Sequence, residues 1–294
     1  MSEILTIDIG GTKTNICLVK DLKIIDSEIF LTQSSPEHFI QKINSICNEK
    51  KYKYDGLSLS LPGEWDRNGV LKESFFLQNW INYPFVDKLK TSLGVKDCIW
   101  ETDVICGALG EYNTLVGACR SKPLLYINLG TGIGAALIKD GKPYKSNSNL
   151  TLRLQKMVCP IDDQLFPASD LICGGGLIKN TKYKSIEELF NDYKKANVEA
   201  YEIITKSQIQ LAACLINLFY LFAPGVIVLN GGLTYDWEVI AEEAINIANE
   251  ELENKIEIIP GKLKEKAPII GAYLNFMRHC EGFSLKQSRL NLCK

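Results

Sequence analysis

Twice along this chain an apolar run leads into a glycine- and threonine-rich turn and out into a second apolar run. The first passes from Ile4–Ile9 through Gly10-Gly11-Thr12-Lys13-Thr14 to Asn15–Val19. The second passes from Leu124 through Gly130-Thr131-Gly132-Ile133-Gly134 to Ile138. Each pattern predicts a β-hairpin with bare backbone at its bend. Lys23–Phe30 predicts a further strand. Pro36–Glu49 predicts a helix, because Phe39, Ile40, Ile43 and Ile46 share one face and Ser35 stands ready to cap it. Tyr54–Leu61 predicts a strand that stops at Pro62-Gly63, Pro84–Leu93 a helix, Cys98–Glu101 a strand and Asp103–Tyr112 a tightly packed helix.

Beyond the second hairpin the pattern is weak as far as about Asp170. Helices are then predicted over Ser185–Asn197 and Ser207–Phe222, a strand over Gly225–Leu229 and a turn at Asn230-Gly231-Gly232. A helix over Trp237–Glu251, a strand over Lys255–Ile259 and a helix over Ala267–Met277 follow. Hairpin, helix, strand, helix therefore occurs twice, which predicts a duplicated α/β unit whose copies close on a cleft. A chain of 294 residues is long enough for two such cores. The expected lobes are 1–118 with 274–294, and 119–273.

The formal charge of −2 gives no electrostatic footprint for nucleic acid or an anionic membrane. No basic segment followed by a long apolar stretch opens the chain, so no export signal is expected and the location expected is cytoplasmic. The longest apolar window, Leu211 to Val228, is broken by Asn217, Pro224 and Gly225, which argues against a membrane span. Ten cysteines are scattered without a C-x-x-C pair, and His38 and His279 have no cysteine pair beside them. That usage predicts reduced thiols rather than disulfides or a zinc site.

Glycine permits close approach, so amide N–H groups in such turns can converge on an anion, with threonine hydroxyls as further donors. Two matched turns thus point to a nucleotide's phosphates, against the plainer reading of two ordinary tight hairpins. Asp103 opens a helix directly after a strand. That position suits a general base, and equally an N-cap. Asp8 borders the first turn, where a carboxylate can hold Mg²⁺ directly or through water, or end a strand. Lys13 is either a phosphate contact or a solvated lysine at a hairpin tip.

In this order and near this spacing, the motifs resemble those of the ROK family within the actin/hexokinase-like ATPases. Asp8-Ile9-Gly10-Gly11-Thr12-Lys13-Thr14 is similar to the family's first phosphate motif. Leu59-Ser60-Leu61-Pro62-Gly63 is similar to its sugar-side loop, and Glu101-Thr102-Asp103-Val104 to its E-N-D-A motif. Leu129-Gly130-Thr131-Gly132-Ile133-Gly134 is similar to the second phosphate motif, and Val226–Leu233 to the adenosine motif. The resemblance implies a two-lobed, duplicated ribonuclease H-like α/β fold and an ATP- and Mg²⁺-dependent sugar kinase, commonly a homodimer. It implies Asp103 as base and Asp8 at the metal. It implies nucleotide contacts at Gly10, Gly11, Thr12, Lys13, Thr14, Gly130, Thr131, Gly132, Gly134, Gly231 and Gly232. Ser60, Pro62, Gly63, Asn79, Thr102, Asp103, Asn128 and Asp170 are the expected sugar-side residues.

The chain departs from the family in three places. Where the pattern carries E-x-G-H it has Arg153-Leu154-Gln155-Lys156-Met157, the zinc cysteine cluster is missing, and Thr102 stands for the usual Asn. Zinc-free members resemble N-acetylmannosamine kinases of bacterial sialic-acid catabolism, so a 6-kinase of an N-acetylhexosamine, N-acetylmannosamine first, is expected, with glucose or another hexose as the alternative. A catalytically silent sugar- or nucleotide-binding protein is the second alternative. A sugar-responsive regulator would need a helix-turn-helix ahead of the first motif, where this sequence has seven residues.

Overall fold

The computed structural model describes residues 2–116, 122–145, 151–161, 163–253, 255 and 257–280. They divide into two compact units, 1–113 with 266–294, and 114–265. The expected boundary at 118/119, Gly117, Cys119, Cys293 and the tail from 281 lie outside the described residues.

The first unit opens with β1 (Ile4–Ile9), β2 (Lys13–Lys20) and β3 (Lys23–Leu31), followed by α1 (Pro36–Glu49) and β4 (Gly56–Leu61). A short pair follows, β5 (Glu64–Trp65) and β6 (Leu71–Glu73), then α2 (Phe85–Leu93), β7 (Cys98–Thr102) and α3 (Asp103–Thr114). The main sheet runs β3-β2-β1-β4-β7, with β1, β2 and β3 antiparallel and β1, β4 and β7 parallel. Helix α1 begins where Ser35 Oγ accepts the His38 N–H at 3.2 Å and Pro36 fills the first turn. Its predicted face is buried against the sheet with Phe85 and Trp80. Phe39 meets Trp80 at 4.8 Å and Phe85 at 5.7 Å, edge to face in both cases. Each such pair adds about 0.5–1.5 kcal/mol beyond its buried area.

The second unit repeats that plan. β8 (Leu124–Leu129), β9 (Ile133–Lys139) and β10 (Lys142–Pro143) form the antiparallel part. A small hairpin follows, β11 (Val158–Ile161) with β12 (Gln164–Pro167), and then α4 (Gly174–Ile178), α5 (Ile186–Lys194) and α6 (Val198–Phe222). β13 (Val226–Asn230), α7 (Trp237–Ile240), α8 (Glu242–Glu251) and β14 (Ile258–Pro260) complete it. The sheet order β10-β9-β8-β13-β14, antiparallel then parallel, matches that of the first unit strand for strand. Two mixed α/β units of one topology make this the duplicated, two-lobed actin/hexokinase-like fold.

Helix α6 starts nine residues before its predicted beginning because Asn197 caps it, its side chain accepting the Ala200 N–H at 3.2 Å. It ends at Ala223, left-handed at φ 43°, followed by Pro224. The helix predicted over Trp237–Glu251 is two, broken at Ala241. A last helix, α9 (Ala267–Cys280), packs on β1, β4 and β7, so the chain rejoins the first unit ahead of this helix rather than within it. The backbones of α9 and α3 touch. A Cβ on Gly271 would stand 1.6 Å from Cys106 O, and one on Gly110 2.3 Å from Ala267 O. Close helix packing is therefore what Gly110 and Gly271 serve, and it fixes the helix that Asp103 begins.

Candidate active site

In the first unit the parallel strands end together. Register places Asp8 beside Ser60, Ser60 beside Glu101 and Leu61 beside Thr102, so three chain segments deliver their polar residues to one sheet edge. Ser60 is fully buried and its hydroxyl donates to Asp8 Oδ1 at 2.5 Å. Burial pushes the Asp8 carboxyl up to about 7; the Ser60 hydrogen bond opposes this and the nearby Asp103 charge adds to it. Burial raises Asp103 to about 6, with the Val104 N–H, 2.9 Å from Oδ1, holding it down. Asp103 therefore takes the N-cap role open to it in the sequence. One oxygen binds the first turn of α3, while burial holds the carboxyl above the ordinary carboxylate range.

Around this edge, Gly10 N donates to Lys13 O at 2.9 Å to close the first glycine turn. Thr12 and Lys13 are exposed and Gly11 is half-buried. Thr14 is not available to a ligand. It is fully buried, and its hydroxyl lies 2.9 Å from that of Thr32, which donates to Gly10 O at 2.8 Å. Ser60 is likewise sealed, so the expected sugar contact there is instead a brace for Asp8. Pro62 O accepts the Trp65 indole N–H at 2.9 Å, and Gly63 stands exposed at φ 88° with its α-carbon against Glu73 O. Asn79 is exposed on a 3-10 turn anchored by fully buried Trp80. The Thr102 hydroxyl is buried without a partner.

In the second unit Gly130 N donates to Gly132 O at 2.9 Å, closing the second turn. A Cβ on Gly132 or Gly232 would meet nothing within 4 Å, so both backbones face open space. Gly231 adopts φ 101° and its α-carbon presses on Leu129 O, which seats the turn after β13 against the end of β8. Gly134 pairs across the hairpin with half-buried Asn128. Gly174-Gly175-Gly176 joins them from outside the expected site residues. Gly174 N donates to Gly130 O at 2.8 Å and Gly175 N to Thr131 O at 2.9 Å, so α4 rests backbone to backbone on the turn. Three consecutive glycines after a weakly patterned stretch were the available signal. Asp170 belongs to this neighbourhood, beside Gly176, with its carboxylate 3.0 Å from Lys179 Nζ.

A family model for the ROK family matches residues 4–150 and 170–278, spanning both glycine turns and both carboxylates. The chain belongs to the ROK family. Enzymes of this family are ATP-dependent sugar kinases. An uncharacterised Clostridium perfringens protein is 28% identical over 288 residues, covering 92% of this chain and 96% of the relative. An N-acetylmannosamine kinase of Vibrio cholerae is 26% identical over 290 residues, covering 92% and 98%. A ROK family protein of Streptococcus pneumoniae, solved with sucrose, superposes with a TM-score of 0.82 over 96% of this chain and all of that one at 21% identity. The gap between the two matched stretches of the ROK model holds the β11–β12 hairpin. In that gap Arg153 is half-buried, Lys156 exposed and Cys159 buried; beyond it Cys173 is buried, its thiol 2.9 Å from Ser169 O. Among the described residues no group of three or more His, Cys, Asp or Glu side chains could hold a metal. No described helix is long and apolar enough to cross a membrane.

Proposed function

We propose that this ROK protein is an ATP-dependent kinase of the 6-hydroxyl of an N-acetylhexosamine, N-acetylmannosamine first, working in the cytoplasm as a homodimer. The observation that carries the reading is the buried pair Asp8 and Asp103 at one sheet edge, both held above the ordinary carboxylate range. Two like charges in a desolvated setting invite a cation and a proton, which are the two things a sugar kinase handles.

Asp103 accepts the proton of the attacking sugar hydroxyl, and the Val104 N–H on its Oδ1 fixes the carboxylate's orientation. General bases contribute about 10²–10⁴-fold in rate. Asp8, oriented by Ser60, suits Mg²⁺: its donors are hard oxygens, and a single carboxylate leaves room for phosphate and water ligands. When bound, Mg²⁺ neutralises the charge developing on the transferred phosphate. Thr12 and Lys13 of the first turn, and Gly130, Thr131, Gly132 and Gly134 of the second, supply phosphate contacts. Bare backbone at Gly231 and Gly232 takes adenosine. Pro62, Gly63, Asn79, Thr102, Asn128 and Asp170 are the proposed sugar-side residues, and a sugar hydroxyl is the partner we assign to the unmatched Thr102 oxygen.

The test is an ADP-release assay with Mg-ATP across N-acetylmannosamine, N-acetylglucosamine, glucose, mannose and fructose. Turnover on an N-acetylhexosamine is expected, falling about 10²–10⁴-fold in kcat for Asp103→Asn. Turnover confined to glucose or another hexose would replace the substrate and keep the class. ATP binding without turnover on any sugar would sink the kinase reading.

A further inference from the structure

Within the first unit, the segment from Ser74 to Trp80 buries its residues in an unusual order. Ser74, Leu77 and Trp80 face inward, while Phe75 is 85% exposed and Phe76 40% exposed. Adjacent in sequence and in ring contact, the two form a small exposed apolar patch. The segment is held firmly enough to present them. Ser74 Oγ accepts the N–H groups of Phe76 at 3.2 Å and Leu77 at 3.1 Å, and Leu77 and Trp80 anchor its far end in the core.

The rings are placed against the site. A Cβ on Gly11 would fall 2.3 Å from Phe76 Cγ, so the ring lies directly on the α-carbon of the first glycine turn, three residues from Asp8. On its other side the segment adjoins the sugar-side loop, since a Cβ on Gly63 would meet Glu73 O at 2.5 Å and Ser74 Cβ at 3.0 Å. Phe75 and Phe76 stand at 87° to each other with centroids 5.2 Å apart. Two perpendicular rings form a corner rather than a flat platform. Such a corner can meet a compact apolar group with two ring faces at once.

Resting on the kinase reading above, we infer that Phe75 and Phe76 form the apolar wall of the acceptor subsite and receive the methyl end of an acyl group on the sugar's amino nitrogen. Phe76 supplies the face that the acyl group contacts. Phe75 closes the outer side, where its exposure leaves room for a longer acyl chain. These two residues set the preference for acylated over plain sugars and take no part in the proton or phosphoryl transfer.

The experiment compares kcat/KM for N-acetylmannosamine and mannose, which differ in the 2-substituent, in the wild type, Phe76→Ala and Phe75→Ala. A methyl in an apolar pocket is worth roughly tenfold or more in discrimination, so Phe76→Ala is expected to cut the preference for the acetylated sugar about tenfold. The loss should come through KM for the acetylated sugar, and Phe75→Ala should give a smaller loss in the same direction. Phe75 is almost fully exposed, so its removal leaves folding intact and keeps the test sound if Phe76→Ala is unstable. N-propanoylmannosamine should be accepted by the wild type. A preference unmoved in both variants overturns the inference, as does a rise in sugar-independent ATP hydrolysis alone, which would make the ring a water shield. A wild type that phosphorylates mannose but not the acylated sugar overturns the inference and leaves the kinase class standing. No turnover on any sugar removes the kinase reading and the inference with it.

Discussion

At Asp8, the proposed Mg²⁺ ligand, burial sets the charge that the proposed role needs against the stability of the fold. Its folded pKa is about 7 against an ordinary 3.8, because burial penalises the charged form. The sign of the linkage follows. Below about pH 4 the carboxyl is protonated whether the chain is folded or not, and its burial costs little. As pH rises towards 7 the unfolded chain releases the proton while the folded chain keeps it, so stability falls across that window and stays lower above it. Asp8→Asn keeps an acceptor for Ser60 and removes the buried charge. It is expected to be inactive yet more stable than wild type at pH 8 in chelator, by about 1–3 kcal/mol, with the difference vanishing by pH 4. Thermal melts at both pH values check this. Millimolar Mg²⁺ should raise the wild-type melting temperature at pH 8 and leave Asp8→Asn unmoved; an equal rise in both would remove the metal role from Asp8. As the proposed base, Asp103, raised to about 6, is expected to give an acid limb, with kcat/KM falling as pH drops through about 6.

Among the elements, those that hold the site together were legible where their physics is local. The hairpin of each glycine turn, the Ser35 cap of α1 and the placement of Asp103 at a strand-to-helix junction all follow from residue order and spacing. What did not show was set by contacts far apart in sequence. Ser60 reads as a loop-edge hydroxyl until the register with β1 brings it to Asp8, and Thr14 reads as a donor until Thr32 claims it. Helix α4 is too short and too rich in glycine to carry a periodic signal, yet its seat on Gly130 and Thr131 is what shapes the second turn. That difference between a seat and a contact can be measured. Gly132 has open space where a side chain would go, so Gly132→Ala should leave the melting temperature within about 2 °C. If phosphate approaches that backbone, the added methyl should still raise KM for ATP about tenfold, without changing KM for the sugar. Gly175→Val is the opposite case. Its Cβ would press on Thr131 O at 2.9 Å, so stability and nucleotide binding should fall together. A Gly132→Ala enzyme with wild-type ATP kinetics would withdraw the second turn from the nucleotide site.

At the scale of the whole molecule, one five-stranded plan is used twice and loaded differently. The first unit ends its parallel strands in Asp8, Ser60 and Glu101-Thr102-Asp103 and carries the aromatic corner beside Gly11. The corresponding edge of the second unit has Asn128 beside Asn230, the latter buried and donating to Tyr126 Oη and Lys264 O, followed by glycines. On the proposed function, the carboxylates place the acid–base chemistry on the first copy and the bare backbone at Gly231 and Gly232 places adenosine on the second. Each unit encloses its own apolar cluster, so local protection can respond to one ligand without the other. Hydrogen exchange read by peptide mass tests the division. N-acetylmannosamine alone is expected to slow exchange over residues 60–64, 74–80 and 101–104, and a non-hydrolysable Mg-ATP analogue over 130–134, 174–176 and 231–233. Stable amides in these turns should slow by about tenfold or more at saturating ligand, since binding energy of even 1.4 kcal/mol against local opening gives that factor. Sugar-dependent protection confined to the second unit, or nucleotide protection that leaves both 130–134 and 231–233 unchanged, would mean that the duplicated edges do not divide the work in this way and that the carboxylate edge serves some other ligand.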